Sequence, residues 1–274
     1  MFDIIFLVAI FGACVGSFLN VVIYRLPKKQ SIVFERSQCP KCNSKLNAFD
    51  LIPIISWIFL SGKCRYCNYS ISRKYPFIEF ITSFLFILCL ESRGWINSFS
   101  SDIVIVISGW ILVSYLIVLA FIDIENMILP NSITYSGSLV GLLLIFYYKY
   151  FVKNVSEYFL FEHLAAYIFA FIGVLLFSYV VQLVIKKPGM GGGDAKLFAM
   201  SGIWLGLEGL EVTVTLSFLI SALFVLLGLI FRLIRRGEYI PFGPFICLSI
   251  FLVWFYGPQF WIKLLGDILW WKYL

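Results

Sequence analysis

Long apolar stretches, separated by short polar segments, follow one another along almost the whole of this 274-residue chain. A helix needs about 20 mostly apolar residues to cross the ~30 Å hydrocarbon core of a bilayer. The pattern predicts about eight transmembrane helices, with seven as the alternative, because the second stretch is short and the sixth is weak. The predicted spans are residues 4–24, 77–92, 103–122, 132–151, 163–185, 196–208, 211–231 and 243–262.

Composition excludes the soluble globular class, since 61% of the residues are hydrophobic and only 13% are charged. The expected fold is an all-α polytopic membrane protein. Its sequence divides into a first transmembrane helix (1–24), a polar loop (25–76) and a membrane core (77–274). The spacing of Gly12 and Gly16 predicts a close helix contact, either within the chain or with a second copy in a homo-oligomer.

Basic residues are concentrated on one predicted side of the membrane. The loop 25–76 contains ten Lys and Arg residues, and with eight helices it shares its side with basic residues near 186–196 and 232–236. The positive-inside rule therefore places these segments in the cytosol and both termini outside. Anionic lipid headgroups account for the net charge of +6, so no nucleic-acid partner is expected.

Four of the seven cysteines form two C-x-x-C pairs within the loop 25–76. Cys39 with Cys42 and Cys64 with Cys67 can present four thiolates to one tetrahedral ion, which is typical of a structural zinc site. A redox dithiol or ordinary free thiols are the alternatives. The remaining cysteines, Cys14, Cys89 and Cys247, stand singly in apolar segments, where buried inert thiols account for them.

Asp123 and Asp194 are the candidate catalytic residues. Each stands where an apolar segment meets the predicted cytosolic face. An ionised acid against hydrocarbon is energetically unfavourable, so such residues usually have a partner or a function. The glycine run before Asp194 matches no nucleotide-binding motif. For Asp194, capping of the following helix is the structural alternative, and for Asp123 the alternative is an ordinary interfacial acid.

If the segments 122–131 and 186–195 converge, the two carboxylates share one proton, because neighbouring like charges cannot both be ionised at neutral pH. The ionised member can then deprotonate a water while the protonated member donates to a carbonyl oxygen. This is the chemistry of aspartyl peptide hydrolysis, which needs neither a metal nor a covalent intermediate.

Several motifs in this order resemble those of the type IV prepilin peptidases, which are leader peptidases and N-methyltransferases. The shared stretches are Gly16–Pro27, the two C-x-x-C pairs, Asp50–Pro53, Ser72–Glu79, Ile122-Asp123 with Leu129-Pro130, Gly189–Leu197 and Pro241–Pro244. The sequence departs from the family at Asn131, where many members have an aspartate.

The resemblance implies that Asp123 and Asp194 are the catalytic pair of a GxGD aspartyl protease in the bacterial inner membrane. It implies prepilin or pseudopilin substrates, cut at the cytosolic face and then N-methylated with S-adenosylmethionine. No glycine-rich fingerprint for this cofactor is present, so its binding residues stay unassigned. Glu79 is a candidate for methyl transfer or for a structural hydrogen bond, and Lys196 either biases the aspartate pair or extends to the headgroups.

Three other functions compete with this hypothesis. One is a peptidase that lacks methyltransferase activity. An ion-coupled transporter would also use intramembrane acids, but it predicts inverted repeats with acids near the midplane. A non-catalytic scaffold would use the aspartates only as helix caps.

Overall fold

A computed structural model describes residues 2–34, 36–91, 102–151, 156–186, 190–235 and 238–269. Lys187, Gly189 and Arg236 of the predicted cytosolic segments lie outside these ranges. No strand longer than an isolated bridge occurs within them. The helices are α1 (Phe2–Arg25), α2 (Ile55–Phe59), α3 (Lys74–Glu91), α4 (Asp102–Asn126), α5 (Asn131–Phe151), α6 (Phe159–Ile185), α7 (Gly192–Ile230), α8 (Gly243–Tyr256) and α9 (Pro258–Leu269).

Every predicted span coincides with helical structure, but the number of membrane crossings is not confirmed. Among the described residues, α1, α4, α6 and α7 are long and apolar enough to cross a bilayer, and a fifth candidate is α8 with α9, which are bent by 103° at their junction. The helix α3 falls short because it has only 18 residues and includes charged Lys74 and Glu79. The helix α5 begins with several hydroxyl-bearing residues, which lower its hydropathy.

The helix α7 is broken at Gly206. Its 39 residues would extend for ~58 Å as a straight helix, about twice the hydrocarbon thickness. Gly206 has φ 71° and ψ −171°, a conformation that is essentially restricted to glycine. Just before this break, the buried ring of His163 donates from Nδ1 to the carbonyl of Ile203 over 2.7 Å. The range therefore contains two helical segments, near the boundary that the sequence predicts between 208 and 211.

The chain forms two compact units. The first, Met1–Glu91 with Gly109–Val118, is built on the close packing of α1 against α3. A Cβ on Gly12 would lie 2.7 Å from the Cα of Ser83, and one on Gly16 would lie 2.8 Å from the Cα of Glu79. The contact predicted for these two glycines is therefore made within the chain.

The second unit, Ser92–Ser108 with Leu119–Leu274, is organised around α7, which packs against α5, α6 and α8. Small residues allow this approach, since a Cβ on Gly202 would lie 2.7 Å from the backbone of Ala166. Buried side chains are dense in the first half of α7. That helix consequently provides the core of the unit.

Many large apolar side chains are exposed on the long helices, as expected for surfaces that face lipid. On α1, Phe11 and Phe18 are exposed, and Cys14 shares their face. Cys89 and Cys247 are buried as predicted. The prediction of a buried thiol is wrong for Cys14, because an apolar helix that faces lipid need not bury its residues in protein.

Candidate functional site

Asp123 lies in the last turn of α4, which ends where Met127 adopts a left-handed backbone conformation with φ 52°. The side chain of Asp123 is buried, with the residue 6% exposed. Its Oδ2 accepts a hydrogen bond of 2.9 Å from the backbone amide of Gly243, the first residue of α8. The end of one helix thus presents the carboxylate to the beginning of another.

Asp194 lies in the first turn of α7 and is half-buried. Its Oδ2 accepts a hydrogen bond of 3.2 Å from the amide of Gly191, the residue that precedes the helix. Asp194 is therefore not the N-cap itself, which is Gly191, but it makes the capping contact of an acid at the third helical position. This contact uses one of the two carboxylate oxygens, so it does not exclude a chemical role.

The segments that carry the two aspartates converge within the second unit. A Cβ on Gly193 would lie 3.0 Å from the Cβ of Leu129. Asp123 and Asp194 lie close enough for their charges to interact. Both carboxylates also interact electrostatically with the buried thiol of Cys247. The structure thus brings together two acids that are 71 positions apart in the sequence.

The electrostatic surroundings of the two acids are alike. The carboxylate of Asp194 contacts the N-terminus of α7, and that of Asp123 contacts the N-terminus of α8. Unpaired amides and the helix dipole stabilise negative charge at such termini. No hydrogen bond to either Oδ1 atom is found among the described residues.

Gly243 is a site residue to which the sequence assigned no role. A Cβ at this position would lie 2.6 Å from the Oδ2 of Asp123. Only glycine therefore allows the backbone amide to reach the carboxylate. The stretch Pro241–Pro244 was identifiable as a family motif, but its contact with Asp123 spans 120 positions.

Lys196 lies one turn after Gly192 in α7 and is held by α5. Its Nζ donates to the Oδ1 of Asn131 over 2.6 Å and lies 5.7 Å from the centre of the Tyr135 ring. The contact with Asn131 adds a second link between the two converging segments. Of the two predicted roles for Lys196, extension to the headgroups is less compatible with this contact.

The four predicted metal ligands form one cluster in the first unit. The Sγ atoms of Cys39, Cys42, Cys64 and Cys67 all lie within 4.8 Å of one another, and those of Cys39 and Cys67 are 3.8 Å apart. A tetrahedral zinc with Zn–S bonds of ~2.3 Å requires sulfur separations of about 3.8 Å. The donor set and its spacing therefore fit zinc.

Each cysteine pair is formed by a turn of the same construction. Asn43 and Asn68 follow the second cysteine of each pair, adopt φ near +55° (54° and 56°), and donate their amides to the carbonyls of Cys39 and Cys64 at 2.9 Å. Asparagine tolerates this left-handed conformation better than most residues. The shared turn aims both sulfurs of a pair to the same side.

Hydrogen bonds in these turns favour thiolates. The side chain and then the backbone of Ser44 lower the pKa of Cys42 to about 6. The backbone amides of Tyr66 and Cys67 lower the pKa of Cys64. The hydrogen bond from the backbone of Tyr69 lowers the pKa of Cys67, but burial and the neighbouring thiols outweigh it and raise that pKa to about 12. Because a metal ligand must be a thiolate, the turns favour the ligand form of Cys42 and Cys64, and binding of a cation would displace the proton of Cys67.

Glu79 lies in α3 of the first unit. It is 8% exposed, and its Oε2 accepts a hydrogen bond of 2.7 Å from the amide of Ile54. Ile54 has φ 60°, an uncommon conformation for a β-branched residue. The structural hydrogen bond that was one of the two predictions for Glu79 is present.

Comparisons with known proteins cover most of the chain. Residues 10–92 match the bacterial peptidase A24 N-terminal domain, and residues 110–226 match the type IV leader peptidase family. No solved structure matches the chain.

Three relatives are each named prepilin leader peptidase/N-methyltransferase. The protein of Neisseria gonorrhoeae is 34% identical over 93% of this chain and 91% of its own length. That of Vibrio cholerae is 34% identical over 91% and 95%, and that of Aeromonas salmonicida is 31% identical over 90% of both. The chain therefore belongs to the type IV leader peptidase family and is an enzyme.

Proposed function

We propose that this enzyme cleaves the leader peptides of prepilins or pseudopilins with Asp123 and Asp194 as a catalytic pair. The observation that carries the proposal is the convergence of these two carboxylates, each held by a helix N-terminus, in a member of a leader peptidase family. The names of the relatives support the substrate class.

The geometry supports a division of labour between the oxygens of each acid. The Oδ2 atoms accept amide hydrogen bonds that fix the carboxylates, and the Oδ1 atoms are left for the reaction. One proton is shared by the pair, since two adjacent anions repel. The ionised acid removes a proton from water, and that water attacks the scissile carbonyl carbon while the protonated acid donates to its oxygen.

The collapse of the tetrahedral intermediate returns the pair to its starting state. The acid that received the water proton passes it to the leaving amine, and the acid that donated regains its proton from the hydroxyl of the intermediate. General acid–base assistance of this kind contributes about 10²–10⁴-fold to the rate. Metal chemistry plays no part in this cleavage step.

Location at the cytosolic face of the bacterial inner membrane is part of the proposal. The apolar helices indicate a membrane protein, and the excess of Lys and Arg in the loop 25–76 supports its cytosolic orientation. A prepilin carries its leader before an apolar helix, so its cleavage site also lies at this boundary. We extend the proposal to the division into a first helix (1–24), a four-cysteine loop (25–76) and a peptidase core (77–274).

We further propose that the new N-terminal residue is methylated, as the names of the relatives imply. S-adenosylmethionine would supply a methyl group bound to a cationic sulfur. Zinc in the four-cysteine cluster would be structural, since four thiolates leave no open position for water or substrate. A peptidase without methyltransferase activity is the alternative, and the mass of the processed N-terminus separates the two.

Replacement of either acid tests the cleavage proposal. Asp123→Asn and Asp194→Asn are expected to reduce prepilin cleavage by at least about 10²-fold while zinc content is retained. Glu125→Gln is the matched control, because Glu125 is exposed and two positions from Asp123. A variant of either aspartate that cleaved at the wild-type rate would refute the catalytic role of the pair. That result would favour the scaffold or transporter hypotheses.

A further inference from the structure

A second polar cluster lies at one end of the α1–α3 pair in the first unit. Its principal members are Asn20 and Glu79, which are 5% and 8% exposed. They are neighbours across the helix contact. Gly16, one turn before Asn20, approaches the backbone of Glu79, and Tyr75, one turn before Glu79, accepts a hydrogen bond from Asn20.

Asn20 presents an acceptor that has no protein partner among the described residues. Its Nδ2 donates to the carbonyl of Tyr75 over 3.1 Å, which fixes the orientation of the amide group. The opposite atom, Oδ1, is buried and makes no hydrogen bond. A buried polar atom without a partner is destabilising, and such an atom in a membrane enzyme indicates a ligand that supplies a donor.

Glu79 contributes further acceptor oxygens from the opposite helix, one turn from the residue that Asn20 contacts. It accepts from the amide of Ile54 and from the hydroxyl of Ser17. An ionised carboxylate has about four acceptor sites, so these contacts leave room for another donor. No salt bridge between Glu79 and a Lys or Arg is found among the described residues, so its remaining acceptor sites are not occupied by a protein ion pair.

A primary amine in its ammonium form matches this pair of groups, since it carries a positive charge and three donors. Asn20 and Glu79 each lie five residues from the nearer end of their helix, Arg25 or Lys74, which corresponds to a depth of about 7.5 Å. The amine at the beginning of a mature pilin helix is one source of such a group. The amino-acid moiety of S-adenosylmethionine is the other source of a primary amine.

We propose that Asn20 Oδ1 and Glu79 bind the primary amine of a methylation substrate. The inference rests on the proposed methyltransferase function and assigns that reaction residues of the first unit. Glu79 binds the amine while its hydrogen bond from the amide of Ile54 is retained.

The test compares binding of two probes to the full-length enzyme in nanodiscs. The first probe is a mature pilin peptide that begins with phenylalanine, with a free or an acetylated N-terminus, measured by fluorescence anisotropy without cofactor. The second is S-adenosylhomocysteine, measured by calorimetry. The variants are Asn20→Leu and Glu79→Gln, and the latter keeps an acceptor for the amide of Ile54. Ser83→Ala is the matched control, because its hydroxyl donates to Ala9 across the same helix pair.

Wild type and Ser83→Ala are expected to prefer the free-amine peptide by roughly tenfold or more, as a charge-assisted hydrogen bond requires. Both site variants should lose most of this preference and still bind the acetylated peptide. Loss of S-adenosylhomocysteine affinity alone would support the amine site and assign it to the cofactor. If neither probe responds to either variant, the proposal is overturned.

Prepilin cleavage and zinc content are measured on the same preparations. Normal cleavage in the variants shows that the peptidase remains folded, and if Asn20→Leu does not fold, Glu79→Gln decides the outcome. Failure of the wild type to cleave would instead refute the proposed function itself.

Discussion

At the residue scale, the site depends on glycines that allow backbone amides to reach carboxylates. Gly243 shows this most directly, because its amide donates to Asp123 and any Cβ would collide with the same oxygen. The position of a buried acid is then determined by a neighbour that contributes no side chain.

Gly243→Ala is expected to displace Asp123 and reduce kcat/KM for cleavage by at least about tenfold, because a buried acceptor loses its donor. The same loss should lower the free energy of unfolding by about 1–3 kcal/mol. Gly173→Ala is the control, since a Cβ at Gly173 meets no atom within 4 Å. Steady-state cleavage and thermal unfolding measure both effects, and wild-type activity in Gly243→Ala would show that this hydrogen bond is dispensable.

Single residues were also where the sequence was most and least informative. The aspartates and cysteines were identifiable because an acid against hydrocarbon and paired C-x-x-C motifs are rare for physical reasons. The partner of Asp123 was not identifiable, because Gly243 has no side chain and contacts Asp123 only through the packing of α8. The unpaired oxygen of Asn20 likewise depends on which way its amide is turned.

At the scale of elements, the N-terminus of α7 must approach the segment after α4. A Cβ on Gly193 would lie 3.0 Å from the Cβ of Leu129, so Leu129 would have to shift, whereas a Cβ on Gly192 meets nothing within 4 Å. Gly193→Ala should therefore push the two segments apart and slow cleavage by at least about threefold, the effect of a sub-kcal/mol misplacement. Gly192→Ala should keep at least half of the activity. Equal effects of the two substitutions on cleavage rate would contradict the importance of this contact.

The four-cysteine loop is the element for which removal of a metal is the natural test. Cys39→Ser and Cys64→Ser each delete a buried ligand, and zinc measured by atomic emission should fall from one equivalent to well below half. The loop should then become sensitive to proteolysis, because metal binding stabilises a segment too short to build a core. Cys14→Ser is the control, since Cys14 lies outside the cluster in α1. Stoichiometric zinc in both variants would exclude the four-thiolate site.

Element positions were predictable, whereas their division into membrane crossings was only partly so. Runs of apolar residues located every long helix, because helix formation satisfies the backbone in an apolar medium, whereas the short α2 lies within the predicted loop. Hydropathy does not confirm α3 and α5 as complete spans, since both combine apolar residues with charged or hydroxyl-bearing ones. It did indicate the interruption near Gly206, although the glycine conformation responsible for it was not apparent.

At the scale of the whole molecule, the function requires both aspartates and the basic loops on one side of the membrane. The helix α6 has 27 residues and is long enough to separate Ser156 from Lys186 across a bilayer. Whether α7 crosses the membrane once or twice depends on the break at Gly206. A single crossing would place Arg232 opposite Asp194, whereas two crossings would return Arg232 to the side of Asp194.

Epitope tags inserted after Ser156 and after Arg232 of the full-length enzyme distinguish these arrangements. The tag after Arg232 should bind antibody only in inverted membrane vesicles, and the tag after Ser156 only in spheroplasts. Arg232 is preceded by a ~58 Å helical range with a glycine-specific break at its fifteenth residue, and it is followed by further basic residues, so both total length and charge favour two crossings. Retained cleavage activity serves as the control for insertion. If both tags were accessible from the same side, α7 would be a single crossing. The basic segments would then not all lie on one side of the membrane, and the charge argument for a cytosolic active site would be wrong.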